Sequence, residues 1–398
     1  VLRLSVTIFL IQAGFHAFTV SIPLALDRAG RPDADIGAIV GLAALVQIPA
    51  ALVGGVLIDR FGSMKLILVG GLSYIAATVF LILPGLAPET STLEFIAARI
   101  LQGLGFGMVM PAALSFVPRL VPVAKRGIAL AMASTSHNLT LVFVPPMSVI
   151  VLDGAGLTGV ALFAGVAVTA ALVIAFARPF GARESGEDAE HHQARRLLGF
   201  AFRRAWVMPL AIIGLFDIHW GVVTAYLPQR AEAADADIGL FFAADGLLVL
   251  LTRMPAGWLA DRAPSSWQII AGVVATFVGI ALILPAPTTP ILILSGALTG
   301  AGAALIIVPI NLALTRRSND ADRGSAFALF SAIFAAGIAL GSIGTAPLID
   351  VVGYEVLLGA SLVALIAAIG VTLLDRDLGS VPVSAKAEES VAATPAGG

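Results

Sequence analysis

Ionisable side chains stand inside apolar stretches of the chain, among them His16, Arg99, Asp217, His219, Asp245 and Arg253. Such groups are costly in hydrocarbon and rarely face lipid, so they mark a route for protons or a polar solute. A carboxylate or imidazole whose access to water changes with conformation takes up a proton on one side and releases it on the other. His16 and the Asp217/His219 pair lie at comparable depth in their stretches. At helical spacing Asp217 shares a face with Gly214, Trp220, Gly221 and Thr224, whereas His219 stands nearly opposite, among Leu215, Phe216, Val222 and Val223. His16 falls on a polar stripe with Gln12, Thr19 and Pro23. Asp217, with His16 and Arg99, is therefore the expected proton-coupling set. A structural hydrogen bond between helices is the plainer role for each, and for His219 a helix contact.

Further polar atoms come from Gln47, Gln102, Asn138 and Asn311, and Phe15, Trp220, Phe327 and Phe334 are candidate aromatic walls. Asp245 and Arg253 lie toward opposite ends of one stretch, where each either lines a passage or joins helices. His191-His192 reads as a solvated pair, so no metal site is expected. No phosphate loop, HExxH or nucleophile elbow is present, and Gly103-x-Gly105-x-Gly107 lies within an apolar run, where it reads as close helix packing. Neither an enzyme nor a cofactor is expected.

The elements that must position these residues follow from composition. Of 398 residues, 59% are hydrophobic and 12% charged, with a mean hydropathy of +0.99. The apolar runs are as long as a helix needs to cross ~30 Å of hydrocarbon. They lack the alternation of barrel strands. The fold class is an all-α membrane protein. Expected spans are 5–26, 36–58, 66–84, 94–117, 127–152, 156–177, 206–228, 238–260, 268–285, 291–315, 324–349 and 355–374. The first reads as a retained helix and not a cleaved leader. There is no cysteine, which excludes disulfides and thiol chemistry.

Of the 23 Lys and Arg residues, Arg28, Arg31 and Arg230 fall in outer loops and Arg99 and Arg253 within spans. The rest fall on the side taken as cytoplasmic, which places both termini inside a multi-pass protein of the plasma (inner) membrane. The expected organisation is a six-helix bundle at 1–177, a cytoplasmic linker at 178–205, a second bundle at 206–375 and a disordered tail at 376–398.

The two bundles are repeats. Asp33-Ala34-Asp35-Ile36-Gly37 recurs 202 residues on as Asp235-Ala236-Asp237-Ile238-Gly239. Gly55-x-Leu57-x-Asp59-Arg60 recurs at the same offset as Gly257-x-Leu259-x-Asp261-Arg262. Arg126-Gly127-x-Ala129-x-Ala131-x-x-Ser134 recurs 197 residues on, from Arg323 to Ser331. Duplicated six-helix halves imply a site between them and access that alternates by rocking one half on the other.

Gly55-Val-Leu57-Ile-Asp59-Arg60-Phe-Gly62-Ser-Met-Lys65 resembles the GxLaDRxGRKxxL signature of the major facilitator superfamily, with Ser63 and Met64 departing from the basic pair and Lys65 keeping one cation. The resemblance implies a conformational latch made of Gly55, Asp59, Arg60, Gly62 and Lys65, with Gly257, Asp261 and Arg262 as its second copy. Glycine there would permit close helix approach. Arg99-Ile-Leu-Gln102-Gly103 resembles the family's RxxQG motif, whose arginine takes part in coupling in many proton-driven relatives. Where drug–proton antiporters carry a glycine-rich run, Asn138 to Ser148 keeps Pro145 but has Thr140, Val144 and Ser148 at the expected glycines.

The resemblance covers all twelve spans and is to twelve-helix bacterial efflux permeases. It implies a secondary transporter that exports a small amphipathic molecule or metabolite, coupled to protons, acting as a monomer in the lipid bilayer without nucleic acid; the mainly apolar passage with one central carboxylate suits an amphipathic or cationic solute. Uptake of a sugar or carboxylate by symport is the alternative direction, and a transport-inactive membrane sensor or partner-binding protein is the alternative of another class.

Overall fold

The computed structural model describes residues 2–83, 87, 89–122, 125–177, 203–319 and 322–379. The linker residues 178–202, with His191 and His192, and the tail residues 380–398 lie outside the described residues. Among the described residues there are eleven α-helices, two short 3-10 helices and no strand: α1 (Leu2–Arg28), α2 (Asp33–Phe61), α3 (Ser63–Ile82), α4 (Thr92–Phe116), α5 (Arg126–Phe176), α6 (Val207–Ala233), α7 (Ile238–Ala260), α8 (Ser265–Leu282), α9 (Thr289–Arg316), α10 (Arg323–Ser342) and α11 (Ala346–Leu374). Each contains a stretch long and apolar enough to span a membrane.

The 51 residues of α5 would extend about 77 Å as a straight helix, more than twice the hydrocarbon thickness. The chain instead turns back at Gly156, where φ is 65° and ψ −173°. This backbone region is open to glycine and costs a side chain dearly. Gly353 within α11 repeats the device, with φ 78° and ψ 166°. The two glycines are 197 residues apart, and Asp153 and Asp350 precede them by three residues each. This is a fourth duplicated feature, one that sequence comparison alone had not picked out. With α5 divided at Gly156, the described residues supply twelve apolar helical segments, in keeping with the twelve expected spans. The last two crossings meet at Gly353, inside α11, and not between separate helices. Gly156→Val is expected to destabilise the protein by ~1–3 kcal/mol, the usual cost of such strain, and the loss is read as a lower unfolding temperature in detergent.

Two kinds of core hold the bundle. At the face away from the termini a single cluster draws on both halves, including Ile22, Leu24 and Ile36 from the first and Val222, Leu227 and Phe241 from the second. At the terminal face the cores are separate: Leu4, Ile58, Leu66 and Phe116 in the first half, and Trp206, Ile269, Ile310 and Leu365 in the second. The halves are therefore joined at one end and apart at the other. Small residues permit the join. A Cβ on Gly246 of α7 would lie 2.8 Å from the backbone nitrogen of Val142 in α5. Arg28 adds a half-exposed link, bonding Glu232 of the second half at 2.7 Å and Asp153 at 2.8 Å. Such surface pairs contribute little stability.

The described chain runs past the last span. Arg317 bonds both oxygens of Asp375 at 2.7 Å, Leu378 is buried, and its carbonyl accepts from the Ser266 amide at 2.9 Å. The first residues of the expected disordered tail, 376–379, thus pack on the second half.

Candidate functional site

Between the halves lies a partly open cavity of about 350 Å³, a size that suits a small organic molecule. The shared core closes it on the side away from the termini. It is walled by α1, α2, α4 and α5 from the first half and by α6, α7, α9 and α10 from the second.

Most of the sequence-derived candidates meet here. His16, Arg99, Asn138, Asp217, His219 and Trp220 all line the cavity. So do Asn311, Gln47, Asp245 and Arg253. Two candidates do not: Gln12 and Gln102 are fully buried one layer behind the wall, each holding a lining residue. The opposed faces expected for Asp217 and His219 also need correction, because both border the cavity. The His219 ring folds back so that Nδ1 donates to the Phe216 carbonyl. Of the aromatic candidates, Phe15, Trp220 and Phe334 are wall residues, whereas Phe327 is not; Phe106, Phe216 and Phe330 take part unforeseen.

Arg99 is buried and does not reach the surface. Its Nε donates to the Ile39 carbonyl at 3.3 Å, Nη1 to Gln102 Oε1 at 2.7 Å and Nη2 to the Val40 carbonyl. The guanidinium fork thereby ties α4 to the backbone of α2. Neutral oxygens solvate the charge without cancelling it. Arg99→Lys keeps the charge but cannot match three acceptors spread over a planar fork. We expect a loss of ~1–3 kcal/mol in stability, the cost of stranding a buried acceptor, measured by thermal unfolding in detergent.

The carboxylates sit on the second half. Asp217 is 2% exposed, and its Oδ2 has no hydrogen-bond partner among the described residues. Gly337 of α10 stands against its Cβ, so a larger residue there would displace it. Asp245 Oδ1 accepts from the Thr299 hydroxyl at 2.9 Å. On the first half the Gln12 amide bonds His137 Nδ1 at 3.0 Å, and the His16 and His137 rings lie 5.5 Å apart. His137 is the residue that sequence reasoning missed. It precedes Asn138 within the fifth span, and the rule that flagged His16, an ionisable group inside an apolar run, flags it equally.

The latch residues stand apart from this cavity, at or just beyond the terminal ends of α2 and α7, with Lys65 in the first turn of α3. Gly62 turns the chain between α2 and α3 at φ 85°. Arg60 lies 5.2 Å over the Phe61 ring in α2, and Arg262, just past α7, lies 4.7 Å over the Trp258 ring of that helix. The side chain of Asp59 lies outside the described atoms. Close approach at Gly55 and Gly257 is not observed among the described residues, since none of their atoms lies within 4 Å of either Cβ position. The reason is that the halves are apart on this face. Gly103, Gly105 and Gly107 do pack closely, against Ala43, Gly70 and Ala50.

Comparison with known proteins places this geometry in context. A family model described as Major Facilitator Superfamily matches residues 4–235 and 216–396. A probable sulfoacetate transporter, SauU, of Cupriavidus necator is 28% identical over 138 residues, 35% of this chain and 31% of that protein. Human monocarboxylate transporter 11 is 25% identical over 296 residues, 71% of this chain and 55% of that protein. The chain thus spans about a third to just over half the length of these curated relatives. Among solved structures, a POT family transporter in complex with a thioalcohol-conjugated peptide superposes with a TM-score of 0.77 over 94% of each chain, at 15% identity. That likeness is one of fold.

Proposed function

This chain belongs to the Major Facilitator Superfamily, and on that premise we propose that it is a proton-coupled secondary transporter of a small amphipathic organic anion, of the carboxylate or sulfonate class. The observation that carries the reading is Arg253. It borders the cavity, only partly buried, and makes no hydrogen bond or ion pair with any described residue. A guanidinium stays charged at any physiological pH. Buried Arg99, solvated only by neutral oxygens, adds to the positive potential. The two carboxylates, by contrast, are occluded in the wall. A cationic solute would meet the partly buried Arg253 guanidinium first, so an anion suits the cavity better. The relatives named for monocarboxylate and sulfoacetate carry solutes of that chemistry.

Asp217 is the proposed carrier of the coupling proton, with its lone oxygen waiting for a donor that conformational change supplies. Export is the proposed direction. The cores of the two halves are separate at the face taken as cytoplasmic, the side from which an exporter loads. A membrane potential negative inside drives both anion exit and proton entry.

The test is flux in proteoliposomes holding labelled butyrate or sulfoacetate under an imposed inward proton gradient. Accelerated efflux supports the reading, and accumulation of solute establishes symport instead. Binding without flux of any anion would make the protein a sensor and sink the transport reading.

A further inference from the structure

His137 is held more closely than a bystander needs to be. The Gln12 amide donates to its Nδ1 at 3.0 Å, so the neutral ring carries its proton on Nε2 and is a fixed donor. The His16 ring backs it at 5.5 Å and the Phe106 ring meets it edge-on at 6.3 Å. Arg253 borders the same cavity. The two residues belong to different halves, His137 to α5 and Arg253 to α7. A fixed donor on one half therefore shares the cavity with a guanidinium on the other, and neither is bonded to a carboxylate of the described chain. The other charged or titratable groups bordering this space are His16 of α1, Arg99 of α4, Asp217 and His219 of α6, and Asp245 of α7.

We propose that His137 Nε2–H and the Arg253 guanidinium together seat the acid group of the solute, one oxygen to each, so that the bound anion spans the two halves. Gln12 is the positioning residue that keeps the imidazole donor aimed. The proposal rests on the anion reading above and adds the first-half partner that it lacks. A carboxylate or sulfonate, an acceptor with several oxygens, satisfies both donors at once, whereas a neutral amide offers one oxygen. The anion then acts as a strut across the cleft, and only a solute bearing an acid group draws the separated ends together.

Butyrate, sulfoacetate and neutral butyramide are the probes, with binding to the detergent-purified full chain measured by calorimetry across pH. His137→Leu is expected to weaken butyrate and sulfoacetate binding on the order of tenfold or more, the effect of losing a hydrogen bond to a charged group. His137→Gln, which keeps a donor, should recover part of it. Gln12→Leu releases the ring and should alter the pH profile of butyrate binding, which a merely structural loss leaves unchanged. Should His137→Leu fail to fold, wild-type protein carries the test: butyrate, but not butyramide, should protect His137 from acylation by diethyl pyrocarbonate. Wild-type affinity in His137→Leu, or equal protection by both probes, overturns the proposal while the anion reading stands. If neither Arg253→Ala nor His137→Leu weakens binding, or the wild type binds no anion of the panel, both fall.

Discussion

Asp217→Asn is expected to abolish proton-driven transport while leaving the protein folded and able to exchange solute. The substitution is isosteric and removes only the ability to carry a proton. Asp217 is held between α6 and α10 with Gly337 against its Cβ, and Asn occupies the same volume. Its Oδ2 has no partner among the described residues, so no internal bond is broken. Uphill transport should fall on the order of 100-fold, the scale on which a positioned proton-transfer group acts. Counterflow of labelled against unlabelled solute, which needs no net proton movement, should persist. Undiminished uphill transport with the wild-type pH profile would remove Asp217 from the coupling step.

The second large effect is expected at Gly246. There α7 rests directly on α5 across the boundary between the halves, and a Cβ would stand 2.8 Å from both the Leu141 Cβ and the Val142 nitrogen. No flexible side-chain tip is present to yield. Gly246→Leu must therefore separate the two helices, and the shared core that seals this face opens with them. Transport should drop at least about tenfold, since a separation of this size costs more than ~1.4 kcal/mol. Spin-label distances between the ends of α1 and α6 at Arg28 and Glu232 should lengthen, whereas each half keeps its own core and its secondary structure. Unchanged distances with wild-type flux would mean that the two helices do not hold the seal.

Much of this architecture was readable beforehand because membrane physics leaves few choices. Segments as long and apolar as 36–58 or 291–315 have one way to satisfy their backbone in lipid, and the paired motifs at Gly55 and Gly257 fix the duplication. The candidate site was readable for the same reason: His16, Arg99 and Asp217 are too costly to be incidental. The remainder depended on tertiary geometry. A helical wheel separates Asp217 from His219, but α6 is buried along most of its length and borders the cavity with both. Gln12 and Gln102 have the chemistry of wall residues, and only packing places them one layer back. His137 was visible by its type and was overshadowed by its neighbour Asn138. Nothing in the chain's letters says which face is sealed, because both ends carry residues able to close.

The sealed face is closed mainly by aliphatic and aromatic side chains gathered from both halves. Parting them exposes apolar surface to water, which carries a positive heat-capacity change. The balance between the two orientations is accordingly a thermometer as well as a gate. Apolar burial weakens on cooling, so a chilled sample should populate the opposite orientation more, and plots of transport rate against inverse temperature should curve rather than run straight.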